Sequence, residues 1–161
     1  MHSYSLRRAI VATSLGLVVL GCATTDVAET NKALVRAYME EIINAGDFTA
    51  AERLFPDSGF VLNDRLFAGD DFATMLAGIR HRFPDFHLTV EDQVAERSKV
   101  VTRVTFSGTH QGEFMGIAPT GRVVEYTGIA IDSIANGKVV RGWHQADEFG
   151  MLSQLGFLPQ N

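Results

Sequence analysis

Residues 131–156, IDSIANGKVVRGWHQADEFGMLSQLG, contain a change of period that decides the fold class. Asn136-Gly137 sits between two β-rich runs and predicts a tight hairpin, since both central residues of a type I′ turn need positive φ. The second strand of that hairpin passes Trp143 and reaches Asp147, where helical spacing through Leu155 takes over. Alternation along the strand puts Trp143, Gln145 and Asp147 on one face and Gly142, His144 and Ala146 on the other. Asp147 then has two readings. As a helix cap its carboxylate accepts backbone N–H groups, which lowers a carboxyl pKa; as an acid in an apolar pocket it needs desolvation, which raises it.

Upstream of the hairpin the period is again two. Phe86, Leu88 and Val90 alternate with polar residues, as do Val100, Thr102, Val104 and Phe106, and about 122–133 reads as a central strand, apolar on both faces for part of its length. Gly116 to Gly121 is a longer hairpin loop whose apolar tip, Phe114, Met115 and Ile117, suits a pocket lid or a dimer contact. Earlier still the period is helical. Leu34, Val35, Tyr38, Met39, Ile42 and Ile43 form one stripe, with Thr30 or Asn31 as cap and Gly46 as stop. A short helix is expected over 49–54, and another from Asp70 or Asp71 to Pro84. Helices first, then antiparallel strands, then a short helix, is an α+β layout with helices covering one face of a curved sheet.

The N-terminus carries an address. Arg7 and Arg8 precede an uncharged run from Ala9 to Leu20, and Val19-Leu20-Gly21-Cys22 closes it. This predicts a signal peptide over 1–21, and Cys22 resembles the lipidated cysteine of bacterial lipoproteins. Residues 22–29 then read as a tether, 30–161 as the domain, and the location as the cell envelope, membrane-held through a lipid anchor. The whole chain has a net charge of −5, and losing Arg7 and Arg8 makes it more negative, which argues against nucleic acid as partner. One cysteine excludes an internal disulfide or a multi-cysteine zinc site, and no metal site is expected. The chain lacks G-x-S-x-G, H-E-x-x-H, a phosphate loop and a dinucleotide glycine fingerprint, the minimum parts of several enzyme classes.

The segments FPDFH (83–87), THQGEFMGIAPTGR (109–122), W-x-x-x-D (143–147) and G-x-L-x-Q-L-G (150–156) together resemble the SnoaL-like polyketide cyclases of the NTF2-like superfamily, over about residues 30 to 158. The resemblance implies an NTF2-like cone with an enclosed apolar pocket. It implies intramolecular aldol-type cyclisation or isomerisation of an apolar, carbonyl-containing small molecule, without metal or organic cofactor. It implies that Asp147 is the general acid/base. The histidine that accompanies this aspartate in the family's enzymes is missing from the facing strand, which offers Tyr126, Thr127, Ile129 and Ile131. Gln145 can bond a substrate carbonyl, Trp143 is core or substrate platform, and His110 is the remaining histidine partner. Glu125, in phase with Val123 and Thr127, is expected to pair with Arg103 or Arg141. Two other readings of the chain are a non-catalytic binding lipoprotein and a domain that forms homodimers through its sheet.

Overall fold

The computed structural model describes residues 22–157. The signal segment 1–21 lies outside them. Helix α1 spans Cys22–Ala37 and continues without a break as a π-helix over Tyr38–Asn44. It therefore begins well before the expected cap, and the segment read as a tether is helical. No helix breaker stands between residues 22 and 37, and Asn31 is used elsewhere: its amide donates to the Arg97 carbonyl at 2.8 Å. The predicted stripe is the buried one, with Val35, Tyr38, Met39, Ile42 and Ile43 all inside. No helix among the described residues is long and apolar enough to cross a membrane.

A 3₁₀ turn over Phe48–Ala50, capped by Asp47, leads into α2, Ala51–Leu54. A hairpin follows that the sequence reading leaves out, β1 (Phe60–Leu62) and β2 (Arg65–Phe67). Its turn residues Asn63 and Asp64 both have positive φ, 45° and 63°. Next come α3, Asp71–Arg82, and the long strands β3 (His87–Glu96), β4 (Lys99–Thr109), β5 (Val123–Ala135) and β6 (Lys138–Ala146). Asn136 and Gly137 adopt φ of 52° and 70°, as the hairpin expectation requires. The chain's last described helix is α4, Glu148–Leu155.

The fold is α+β, with a curved, open six-stranded sheet in the order β2-β1-β6-β5-β4-β3. The sheet is mixed, because β1 runs parallel to β6, with Val61 opposite Arg141 and Leu62 opposite Gly142. On its inner face Val100, Val104, Ala130, Ile134 and Val139 meet the α1 stripe and Leu54. Burying each such aliphatic side chain contributes roughly 1.5–3 kcal/mol. Phe55, Phe60, Phe67 and Phe72 form a stacked and edge-on cluster that fixes the β1–β2 hairpin against α3, with Phe55 and Phe60 centroids 4.2 Å apart.

The terminal motif is explained by how α4 docks. Gln154 clamps the backbone of Glu125 from both sides, its carbonyl oxygen accepting from the Glu125 N–H at 2.9 Å and its amide donating to the Glu125 carbonyl at 2.8 Å. Leu155 is buried and Gly156 ends the helix at φ 83°, in the left-handed region that favours glycine. Within G-x-L-x-Q-L-G these residues hold α4 on the first half of β5.

Candidate active site

Between α3, α4 and the inner face of the sheet lies a mostly apolar cavity of about 470 Å³, within the size range of small-molecule pockets. Met75, Leu76 and Ile79 of α3 line one wall, and Phe106, Tyr126 and His144 of the strands line the other. Phe114 and Met115 of the 110–122 loop and Met151 of α4 also line it.

His144 is one of the polar groups of this lining, beside Tyr126, Arg82 and Glu148. Its Nε2 lies 3.2 Å from the Tyr38 hydroxyl and 3.7 Å from Oδ1 of Asp132. Asp132 is 1% exposed and its Oδ2 has no hydrogen-bond partner among the described residues. A carboxylate kept this dry is costly unless a charge or proton nearby compensates it, and the imidazole is the group within reach. The negative oxygen favours a proton on Nε2. Nδ1, which makes no hydrogen bond among the described residues, is then the basic nitrogen.

Several residues fix this arrangement. Asn63, in the β1–β2 turn, accepts from the His144 backbone N–H at 2.8 Å and donates to its carbonyl at 3.1 Å. Gly142, opposite Asp132 in the β5–β6 register, leaves the space in which carboxylate and imidazole approach. A Cβ there would stand 2.9 Å from Asp132 Oδ1 and 3.4 Å from His144 Nε2. Tyr38 opens the π-helical segment, the kind of helix irregularity common at functional sites. Burial first, and then the charge of Asp132, push the Tyr38 hydroxyl pKa well above the ordinary tyrosine value. Burial, and then Glu148, push Tyr126 up to about 12, so both phenols keep their protons at neutral pH.

The residues expected from sequence lie elsewhere. Trp143 and Gln145 project from the outer face of the sheet, where Lys99 and Arg141 each stand 5.4 Å from the Trp143 ring. Asp147 is exposed and borders a shallow outer depression with Gln145, Thr127 and Arg103. Its Oδ1 accepts from the Gly150 N–H at 2.8 Å, which makes it the N-cap of α4. Gly150 is adapted to that cap, since a Cβ there would lie 2.2 Å from Asp147 Oδ2. His110 is fully buried outside the cavity lining, with Nδ1 in contact with Thr120 Oγ1 at 3.1 Å and its ring 5.4 Å from Phe83. Its Nδ1 also accepts the Thr120 N–H, so His110 ties the start of the 110–122 loop to its end. Glu125 pairs with neither expected arginine: Arg103 bonds Asp92 and Arg141 bonds Asp64, while Glu125 is exposed on the outer face.

The cap geometry makes a direct prediction. Asp147→Asn retains a capping oxygen and is expected to leave stability and turnover near the parent values, whereas Asp147→Ala loses about 1 kcal/mol in denaturant unfolding. A folded Asp147→Asn protein without turnover would return the chemistry to that carboxylate.

The candidate residues that sequence reasoning missed are Tyr38, Asp132 and Asn63, together with His144, which it placed on the face away from Asp147 and gave no role. Asp132 had a readable signal, an acid in phase with Ala130 and Ile134 on a central strand, whereas the β-bulge between Ser133 and Ile134 that brings Gly142 opposite it is not legible from spacing.

Among the described residues no group of three or more histidine, cysteine, aspartate or glutamate side chains is placed to hold a metal ion. The model of the SnoaL-like polyketide cyclases matches residues 33–155. No curated protein matches the chain by sequence. Among solved structures, AclR from Streptomyces galilaeus, named as a candidate hydroxylase, is 32% identical with a TM-score of 0.68, over 82% of this chain and 99% of its own. IdmH from Streptomyces antibioticus, named as a candidate polyketide cyclase, is 28% identical with a TM-score of 0.70, over 78% of this chain and 98% of its own. A protein from Acidithiobacillus ferrooxidans shares the fold at 18% identity, with a TM-score of 0.71 over 81% of this chain and 96% of its own.

Proposed function

Because the chain belongs to the SnoaL-like polyketide cyclase family, and because one imidazole is aimed into its cavity, we propose that it cyclises or isomerises an apolar carbonyl compound with His144 as general base and acid. The observation that carries this reading is the buried Asp132 behind a cavity-lining His144. The pair follows the logic of an orienting carboxylate on one ring nitrogen and a reactive lone pair on the other. His144 Nδ1 takes a proton from the carbon next to a substrate carbonyl. The enolate so formed attacks a second carbonyl of the same molecule, a C–C bond closes, and the imidazolium returns the proton to the new alkoxide. Tyr126, protonated and lining the same cavity, donates to the enolate oxygen. The apolar wall excludes water from the enolate.

Exchange at carbon tests this without knowledge of the natural substrate. An enolisable ring ketone incubated with the protein in D₂O is expected to gain deuterium next to its carbonyl, read by NMR. A ketone that binds in the cavity and is returned unlabelled would leave a binding role and overturn the catalytic one.

Anchoring at the cell envelope through Cys22 is part of the proposal, supported by Arg7, Arg8, the apolar run and the small residues before the cysteine. Radiolabelled palmitate supplied to cells is expected in the membrane-bound protein. Cys22→Ser should carry none and appear in the soluble fraction; an unlabelled parent protein refutes the anchor.

A further inference from the structure

The cavity lining holds a cation that the proposed proton chemistry does not use. Arg82, in the last turn of α3, is half-buried and borders the cavity. Its backbone carbonyl accepts the N–H groups of Gln111 and Gly112 at 2.8 and 3.1 Å, so this end of α3 is fastened to the 110–122 loop. Gly112 makes that contact possible: a Cβ there would be 2.6 Å from the His81 carbonyl oxygen and 2.9 Å from Arg82 Cα. The guanidinium carbon stands 5.6 Å from the centre of the Phe114 ring.

Nearby arginines are satisfied by oxygen. Arg80 donates to the Ile43 and Asn44 carbonyls, and Arg122 donates to the Gln154 carbonyl at 2.9 Å. The guanidinium of Arg82 makes no ion pair or hydrogen bond among the described residues. Glu148 borders the same cavity but is not within 4.0 Å of it, and it lies on the α4 side, where it acts on Tyr126. An aromatic face compensates a cation only in part, by roughly 0.5–1 kcal/mol in exposed settings. Five donors in a planar fork match a carboxylate.

We infer that the cavity selects an anionic ligand, an apolar ring compound bearing a carboxylate that Arg82 receives at the α3 side. Glu148 repels that group from the α4 side, so the acid end is directed and the remaining body lies along Phe106 toward His144. The placement of a reacting carbonyl at His144 rests on the function proposed above; the recognition of the acid does not.

Binding separates the two. Anthraquinone-2-carboxylate and its methyl ester are titrated calorimetrically into the parent protein, Arg82→Met and Arg82→Lys. The acid is expected to bind about tenfold tighter than the ester or better, the fold-change of a charge-assisted hydrogen-bonded pair. Arg82→Met, which keeps the apolar stem, should bind the ester as before and lose the preference; Arg82→Lys should retain part of it. Equal binding of acid and ester to the parent, a preference that survives in Arg82→Met, or binding of neither compound overturns the inference. An acid preference intact in a protein that exchanges no carbon-bound hydrogen would uphold Arg82 and sink the catalytic reading.

Discussion

His144→Gln is expected to lower the rate of deuterium exchange by about 10²- to 10⁴-fold while the affinity for a cavity ligand changes little. That is the usual contribution of a positioned general acid/base. Glutamine keeps an amide near Tyr38 and Asp132 but has no lone pair basic enough to take a proton from carbon. Asp132 acts through His144, so its effect should not add to that of His144. Asp132→Asn is expected to slow exchange in the parent background and to have almost no further effect in His144→Gln, because the two groups form one unit. Additive losses would mean that Asp132 serves the fold alone. Full exchange in a folded His144→Gln protein would remove the imidazole from the mechanism.

The second large effect is expected at Gly142. The β5–β6 register sets it opposite Asp132, and β1 passes on its other side with Leu62 as partner. An alanine methyl would meet Asp132 Oδ1 at 2.9 Å, Leu62 Cδ1 at 3.3 Å and His144 Nε2 at 3.4 Å. Overpacking of this kind costs about 1–3 kcal/mol. The cheapest relief is for the carboxylate and imidazole to separate, and a displacement of about 1 Å at a catalytic group can cost on the order of 100-fold in rate. Gly142→Ala should therefore lose roughly 1–3 kcal/mol in denaturant unfolding and about 10- to 100-fold in exchange. Undiminished exchange would show that the contact between Asp132 and His144 is not used.

Most of the fold was legible because its elements are long and strongly periodic. The α1 stripe, α3 and the four long strands needed only spacing and turn chemistry. β1 and β2 were not, since three residues on each side of Asn63-Asp64 are too few to show alternation. The start of α1 was missed because Thr30 and Asn31 look like a cap, while Asn31 is in fact spent on the Arg97 carbonyl.

The site was harder to read for a different reason. Alternation separated His144 from Trp143, Gln145 and Asp147 correctly, but period two says which residues share a face, not which face meets the helices. The resemblance drew the assignment to Asp147 and with it to the face it shares with Trp143, and Trp143 lies under two cationic side chains on the outer face. The small residues flanking His144, Gly142 and Ala146, were the better guide. Small neighbours leave room for a side chain to project into a cavity. The W-x-x-x-D and G-x-L-x-Q-L-G segments were legible as motifs, yet Asp147, Gly150, Gln154 and Gly156 serve to start, dock and end α4.

The course of α1 gives the domain two unlike poles. Asn31 meets the β3–β4 turn through the Arg97 carbonyl, and Asn44 meets β3 near its other end at Leu88, so this helical run traverses the sheet from its turn end to its cavity end. Cys22 lies beyond Asn31, at the pole remote from the cavity, and nine helical residues extend about 13 Å at 1.5 Å each. A chain held at Cys22 would thus carry its cavity end away from the point of attachment.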